Sequence, residues 1–249
     1  MQLFYCKDMT DSGFATLDAD ESRHAVRVLR LREGDDIHVT DGRGWHYRCR
    51  IVGADDRACG VECVEATMCE SVSAGPVDIA RMRPRIHLAV APTKNPSRME
   101  WLVEKAVEMG VGEITLLHCD HSERSFLKTD RLEKIAVSAM KQSLHTVLPA
   151  IHPAVSLRDW LHSSVDASST QKYIAHCEAD KPRTPLADVL LPSADAVVLI
   201  GPEGDFSADE IALTLQSSFV PVSLGTSRLR TETAALYAVA AFNFVNDRS

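Results

Sequence analysis

Hydrophobic and polar positions alternate in two different rhythms along this chain. Up to about residue 70 the apolar runs are short and strand-like: Asp36-Ile37-His38-Val39-Thr40, then Trp45 to Val52, then Gly60 to Val64. The first two are joined by Asp41-Gly42-Arg43-Gly44, a turn-rich connection of hairpin type. One helix-like segment, Ser22 to Leu31, precedes them. From residue 85 the rhythm changes. Ile86, Leu88 and Val90 alternate as a strand, whereas Met99, Leu102, Val103, Ala106 and Val107 recur at helical spacing. Ser97 with Glu100 reads as the capping box of that helix and Gly110 as its stop. Glu113 to His118 follows as a strand. Leu132, Ile135, Ala136, Ala139 and Met140 mark a second helix, with Asp130 and Glu133 as its box. Further strands are expected at Lys172 to His176, Ala196 to Ile200 and Val220 to Leu224, with helices starting near Ser207 and Thr231. Strands alternating with helices predict an α/β fold with a mostly parallel sheet covered on both faces.

The break between the rhythms coincides with Ser71-Val72-Ser73-Ala74-Gly75-Pro76, a run of small residues. The expected organisation is a β-rich domain over residues 1–70, a linker over 71–80 and an α/β domain over 81–249. Composition narrows the class. In 249 residues, 27 Lys and Arg oppose 35 Asp and Glu for a formal charge of −8, with 45% hydrophobic and 25% charged residues. These values exclude a disordered chain and a disulfide-stapled miniprotein. The most apolar stretch, Ala234 to Phe242, is too short to span a bilayer, so no membrane association is expected. Cys59, Cys63 and Cys69 cluster, but the seven cysteines include no C-x-x-C pair, so buried or half-buried thiols in a reducing cytoplasm are expected rather than a metal site.

Three stretches invite a chemical reading. Glu108-Met109-Gly110-Val111-Gly112 resembles part of a dinucleotide loop, but it closes a helix and enters a strand, the reverse of what phosphate binding at a helix N-terminus needs. No P-loop occurs. Gly201-Pro202-Glu203-Gly204-Asp205-Phe206 instead follows a buried-type strand and leads to Ser207, a helix cap with Glu210 completing its box. Open α/β sheets bind ligands at such strand ends, and glycine lets a ligand approach the backbone. Finally, Thr226-Ser227-Arg228-Leu229-Arg230-Thr231-Glu232-Thr233 lies between a strand ending at Leu224-Gly225 and an apolar helix. Thr231 as cap and Glu232 at the helix dipole explain two of these residues and leave the arginines unexplained.

Gly201-Pro202-Glu203-Gly204, followed by Leu224-Gly225 and Leu229-Arg230-Thr231-Glu232-Thr233-Ala234, resembles the RsmE-type methyltransferases of the SPOUT class. His24 to Gly34, Lys94 to Gly112, Glu123-Arg124-Ser125 and Lys141-Gln142-Ser143 match further stretches of that family, so the similarity covers nearly the whole chain. The resemblance implies a SPOUT-type trefoil-knotted sheet with a small N-terminal PUA-like β-barrel domain for RNA. It implies methyl transfer from S-adenosylmethionine to N3 of one uridine in 16S ribosomal RNA of the small subunit, by a homodimer. The implied cofactor pocket is Ile200, Gly201, Pro202, Glu203 and Gly204 with Leu224, Gly225, Arg228 and Leu229. Two departures stand out: Asp205 occupies the place of a third glycine, and Thr226-Ser227-Arg228 replaces a common Pro-Arg-Ile. Arg228 is thereby displaced by one position, whereas Arg230 aligns directly.

Uracil N3 must lose a proton to become nucleophilic. A guanidinium stays charged and offers several donors, so Arg230 is the candidate for stabilising the uracil anion. Glu203 and Glu232 could accept the proton or hold an arginine in place, and the holding role is preferred. RNA requires local positive charge despite the overall acidity. Residues 23–50 hold seven arginines against four acids, a local +3. The candidate RNA contacts are Arg23, His24, Arg27, Arg30, Arg32, Lys94, Arg98 and Arg124. The competing readings are a non-catalytic RNA-binding protein of the same fold, and a metabolic nucleotide enzyme, which would leave the basic β-domain without a purpose.

Overall fold

The structure is a computed structural model, and it describes residues 1–11, 13–69, 84–123, 128–163, 170–178 and 182–247. The chain forms two compact units, Met1–Arg83 with Val137–Leu148, and Pro84–Ala136 with Pro149–Ser249. The expected linker at 71–80 lies outside the described residues.

The first unit is built on a sheet of five strands: β1 (Leu3–Tyr5), β2 (Phe14–Thr16), β3 (Asp36–Thr40), β4 (Trp45–Gly53) and β5 (Gly60–Met68), in the order β1-β3-β4-β5-β2. The β3–β4 hairpin turns at Asp41 to Gly44 as expected, because the Asp41 carboxylate accepts the backbone N–H groups of Arg43 and Trp45 (2.8 and 3.3 Å). Phe4, Leu17, Ile37, Val39, Tyr47, Cys49, Ile51 and Val61 form the core. The expected Ser22 to Leu31 helix is in fact α1 (Ala19–Arg23), capped by Asp18, running into a π-helical turn over His24–Val28. Arg30, with φ +58, ends that run. Residues 137–148 complete the unit. Gly44 N–H and Thr40 Oγ1 donate to the Thr146 carbonyl (2.9 and 3.1 Å), Leu148 N–H donates to the Gly42 carbonyl (2.9 Å), and Lys141 pairs with the buried Glu21.

The second unit carries a seven-stranded sheet in the order β10-β12-β9-β11-β6-β7-β8, with every pairing parallel. Its elements are β6 (Ile86–Val90), α2 (Pro96–Glu108), β7 (Glu113–His118), α3 (Thr129–Gln142), β8 (Ala150–Ser156), α4 (Leu157–Ser163), β9 (Gln171–Ala175), β10 (Thr184–Pro185), α5 (Leu186–Val189), β11 (Ala196–Ile200), α6 (Ala208–Gln216), β12 (Val220–Ser223) and α7 (Thr231–Asn246). Central β11 is buried at every residue, as Ala-Val-Val-Leu-Ile demands of a strand covered on both faces. On one face Ala89, Leu117, Ile174, Val197 and Leu199 pack with Leu157, Trp160 and Leu161 of α4 and Ile211 of α6. On the other, α7 returns from β12 to lie against β6, β11 and α2. Asn243 of α7 donates its side-chain amide to the Met109 carbonyl, closing the C-terminal end of α2. Two expected caps are corrected. Asn95, not Ser97, caps α2, accepting the Ser97 N–H at 3.0 Å ahead of Pro96. Asp130 lies inside the first turn of α3.

At the edge of the sheet where the strands begin, a cavity of about 520 Å³ is lined by Ile86, His87, Glu113, His152, Trp160 and Lys172, among others. His87 Nε2 lies 2.8 Å from Thr115 Oγ1, its ring meets Trp160 edge-on at 5.7 Å, and Glu113 accepts from His152 Nε2 at 2.7 Å. Burial pushes the His87 pKa down, and His152 adds to this; Glu113 opposes it without reversing the direction. The unfolded chain therefore binds a proton at His87 more readily than the folded one below about pH 6.5. Stability should fall as pH drops through this window. Urea unfolding at stepped pH should show this slope, and His87→Gln should flatten it.

Candidate active site

A parallel sheet brings all its strand C-termini to one edge, and five loops emerge there, after β6, β7, β9, β11 and β12. The last residue of β11 and the loop after it hold the first predicted group. Ile200, Gly201 and Pro202 are buried, while Glu203 and Gly204 are exposed. A Cβ on Gly201 would stand 3.1 Å from the Phe206 ring and 3.3 Å from the Phe206 nitrogen, so a larger residue would have to push Phe206 aside by a few tenths of an ångström. Glu203 binds the neighbouring loop: its carboxylate accepts the Lys94 backbone N–H at 3.0 Å. Its described partner is thus a backbone amide rather than an arginine.

Asp205 has φ +65, the left-handed conformation that glycine adopts freely and aspartate tolerates. Its carboxylate accepts N–H groups from Phe206 (2.9 Å) and from Cys177 in the loop after β9 (2.7 Å). The departure from glycine thus retains the required backbone and adds two tethers. His121 Nδ1 lies 3.1 Å from the carbonyls of both Gly204 and Asp205, so Nδ1 carries the proton in this arrangement. Below the loop the expected Ser207–Glu210 capping box is complete. Buried Glu210 also accepts the Asp120 N–H at 2.9 Å, and Ser207 Oγ donates to the Asp120 carboxylate at 2.6 Å.

The loop after β12 carries the second group. Leu224 and Leu229 are half-buried, while Gly225, Arg228 and Arg230 are exposed. Gly225 has φ +88 with no atom within 4 Å of a would-be Cβ, so the constraint there is conformational and the backbone is open to approach. The two loops meet at the start of α7. Thr231 Oγ1 donates to the Gly201 carbonyl at 3.1 Å, so Thr231 ties the loops together instead of capping the helix; Arg230 occupies the cap position without a side-chain cap bond. Glu232 is buried, with Oε1 3.6 Å from Arg98 Nε on α2. The arginine it holds is therefore Arg98.

The predicted RNA contacts are distributed over both units. Lys94 pairs with Glu123 (2.6 Å), Arg23 with Asp20 (3.4 Å) and Arg27 with Asp56. Arg48 and Arg50, part of the local positive excess, pair with Asp36 and Glu65. His24 lies 3.2 Å from the Gln2 amide. Arg30, Arg32 and Arg43 are exposed, and their guanidinium groups have no carboxylate partner among the described residues. Beside Arg30, Val28 and Leu29 are also exposed. Arg124 lies outside the described residues. The three clustered cysteines diverge: Cys59 is buried, Cys63 pairs across the sheet with Cys49, and Cys69 is exposed. Sequence reasoning missed Asn95, Asp120 and His121. Their position directly beyond predicted strands or helix starts was the available signal.

This arrangement, glycine-bearing loops converging at one edge of a parallel sheet beside an arginine-rich turn, is that of an RNA methyltransferase. The RNA methyltransferase domain family matches residues 81–243, and the RNA methyltransferase PUA domain family matches residues 17–62. The chain belongs to the ribosomal RNA small subunit methyltransferase E family. It is 40% identical to a probable rRNA-methyltransferase from Porphyromonas gingivalis, covering 100% of this chain and 99% of that one with a TM-score of 0.86. It is 27% identical to the ribosomal RNA small subunit methyltransferase E from Neisseria gonorrhoeae, solved with S-adenosyl methionine, over 99% and 98% of the two chains with a TM-score of 0.83. The enzyme of the same name from Buchnera aphidicola is 27% identical over 95% of this chain and 90% of its own.

Asp205→Ala removes both carboxylate tethers while keeping a left-handed φ that alanine disfavours. It should lower stability by about 1–3 kcal/mol in denaturant titration. Asp205→Gly, which relieves the φ, should lose less.

Proposed function

We propose that this protein transfers the methyl group of S-adenosylmethionine to N3 of a uridine in 16S ribosomal RNA of the small subunit. The observation that carries the reading is the Thr231–Gly201 hydrogen bond, which seats the two glycine-bearing loops side by side at the sheet edge. The open backbone at Gly225 and the tight turn at Gly201 fit an adenosyl group. Backbone groups of Ile200 to Gly204 and of Leu224 to Leu229 would hold it, and buried Pro202 and Phe206 anchor the first of these loops. When bound, the cofactor supplies a methyl already activated on a sulfonium, so the protein's task is alignment and water exclusion. Arg230, which is exposed, would donate to the uracil oxygens as negative charge develops. Glu203 keeps the Lys94 loop against the pocket.

RNA phosphates are engaged by the first unit, where Arg30 and Arg32 supply the unneutralised charge and Val28 and Leu29 an exposed apolar contact. Exposed ion pairs such as Arg23–Asp20 are weak enough to reopen toward a phosphate. The working form is a homodimer. Tyr237, Ala240 and Phe244 follow one another along one side of α7, and Trp101 is exposed on adjoining α2, an apolar surface of the kind a second copy covers. No helix among the described residues is long and apolar enough to cross a membrane, and the substrate places the work in the cytoplasm.

Titration calorimetry should detect S-adenosylmethionine binding, and ribosomal RNA from cells lacking the protein should have lost 3-methyluridine by nucleoside mass spectrometry. Loss of a different modification would overturn the assignment. Arg230→Ala should slow single-turnover methylation by about 10²–10³-fold with cofactor affinity unchanged.

A further inference from the structure

The proton on uracil N3 needs an acceptor, and we infer that Glu232 is that acceptor, held in position by Arg98. The inference rests on the uridine N3 reading above. Asp205 spends its carboxylate on the Cys177 and Phe206 amides, and Glu203 is exposed and already accepts a backbone amide. Glu232 differs in three respects. Its side chain is only 8% exposed, its Oε1 faces Arg98 Nε at 3.6 Å, and its Oε2 is buried with no hydrogen-bond partner among the described residues. An unpaired carboxylate oxygen shut away from water costs folding free energy, so a second partner arriving with substrate is its natural complement. Its neighbour Thr231 is bonded to Gly201, which puts the carboxylate at the junction of both loops, and Arg230 precedes them.

The step balances. The N3–H bond breaks and its proton passes to Glu232 Oε2. The nitrogen electron pair forms the N3–methyl bond, and the methyl–sulfur pair returns to sulfur, leaving a neutral thioether. Arg98 takes no part in bond making. Its guanidinium faces Oε1, so that Oε2 is the oxygen left for N3.

The test compares target RNA carrying uridine with the same RNA carrying 5-fluorouridine, whose N3 proton is more acidic. Glu232→Gln should lower the single-turnover rate on uridine RNA by about 10²-fold or more, and this deficit should shrink about tenfold on 5-fluorouridine RNA. Calorimetric cofactor affinity and thermal midpoint should stay near those of the wild type. Added formate should partly restore Glu232→Ala. Arg98→Leu should also slow uridine RNA more than 5-fluorouridine RNA, and Arg98→Lys should recover most of the rate. A Glu232→Gln rate close to wild type overturns the assignment. So does an equal deficit on both RNAs, which marks a purely structural role. If the wild-type protein makes no 3-methyluridine, the reading of the reaction fails instead.

Discussion

One hydrogen bond joins what the chain keeps apart. Gly201 and Thr231 are thirty positions distant in sequence, and the Thr231 hydroxyl closes on the Gly201 carbonyl at 3.1 Å. Everything at the pocket edge is arranged around that closure. The parallel sheet supplies the meeting place, since β11 and β12 run the same way with β9 between them and release their loops at a common edge. Glu203, Asp205 and His121 then tie three more loops to the same point. Removing the hydroxyl would leave the Gly201 carbonyl buried without this donor, a cost the loop would meet by shifting.

The division of labour between the two edges of the sheet is chemical. The cavity at the strand beginnings is roomy and rich in titratable groups, with His87, Glu113, His152 and Lys172 in its lining. The opposite edge carries Gly201, Gly204 and Gly225, with Glu203, Gly204 and Gly225 exposed. A cofactor recognised through main-chain donors and acceptors suits the second, and volume alone would have pointed to the first.

Much of this was legible in the residues. The alternating apolar pattern of β6, β7 and β11, the Ser207–Glu210 box and the Asp41 to Gly44 hairpin rest on local rules, and each stands as read. β8 was invisible because an edge strand carrying His152 and Pro153 shows little apolar alternation. Strands β1 and β2 are three residues each, below what periodicity can register. The Gly-Pro-Glu-Gly and Leu-Arg-Thr-Glu-Thr stretches marked the site, but the partners did not follow from them. That Glu232 meets Arg98, that Glu203 meets a backbone amide, and that four of the first unit's arginines are neutralised by Asp20, Asp36, Asp56 and Glu65 are long-range facts of packing. A charge count over residues 23–50 sees only net sign.

The attachment of residues 137–148 to the first unit has a bearing on how the molecule is made. Thr40, Gly42 and Gly44 find hydrogen-bond partners in Thr146 and Leu148, and Glu21 finds Lys141, all about a hundred residues downstream. During synthesis the amino-terminal sheet therefore emerges with these hydrogen-bonding groups unpartnered and stays incomplete until the ribosome has delivered the end of α3 and the residues after it. Its maturation is coupled to that of the catalytic half, and it is ill suited to being exchanged between genes as a contiguous cassette.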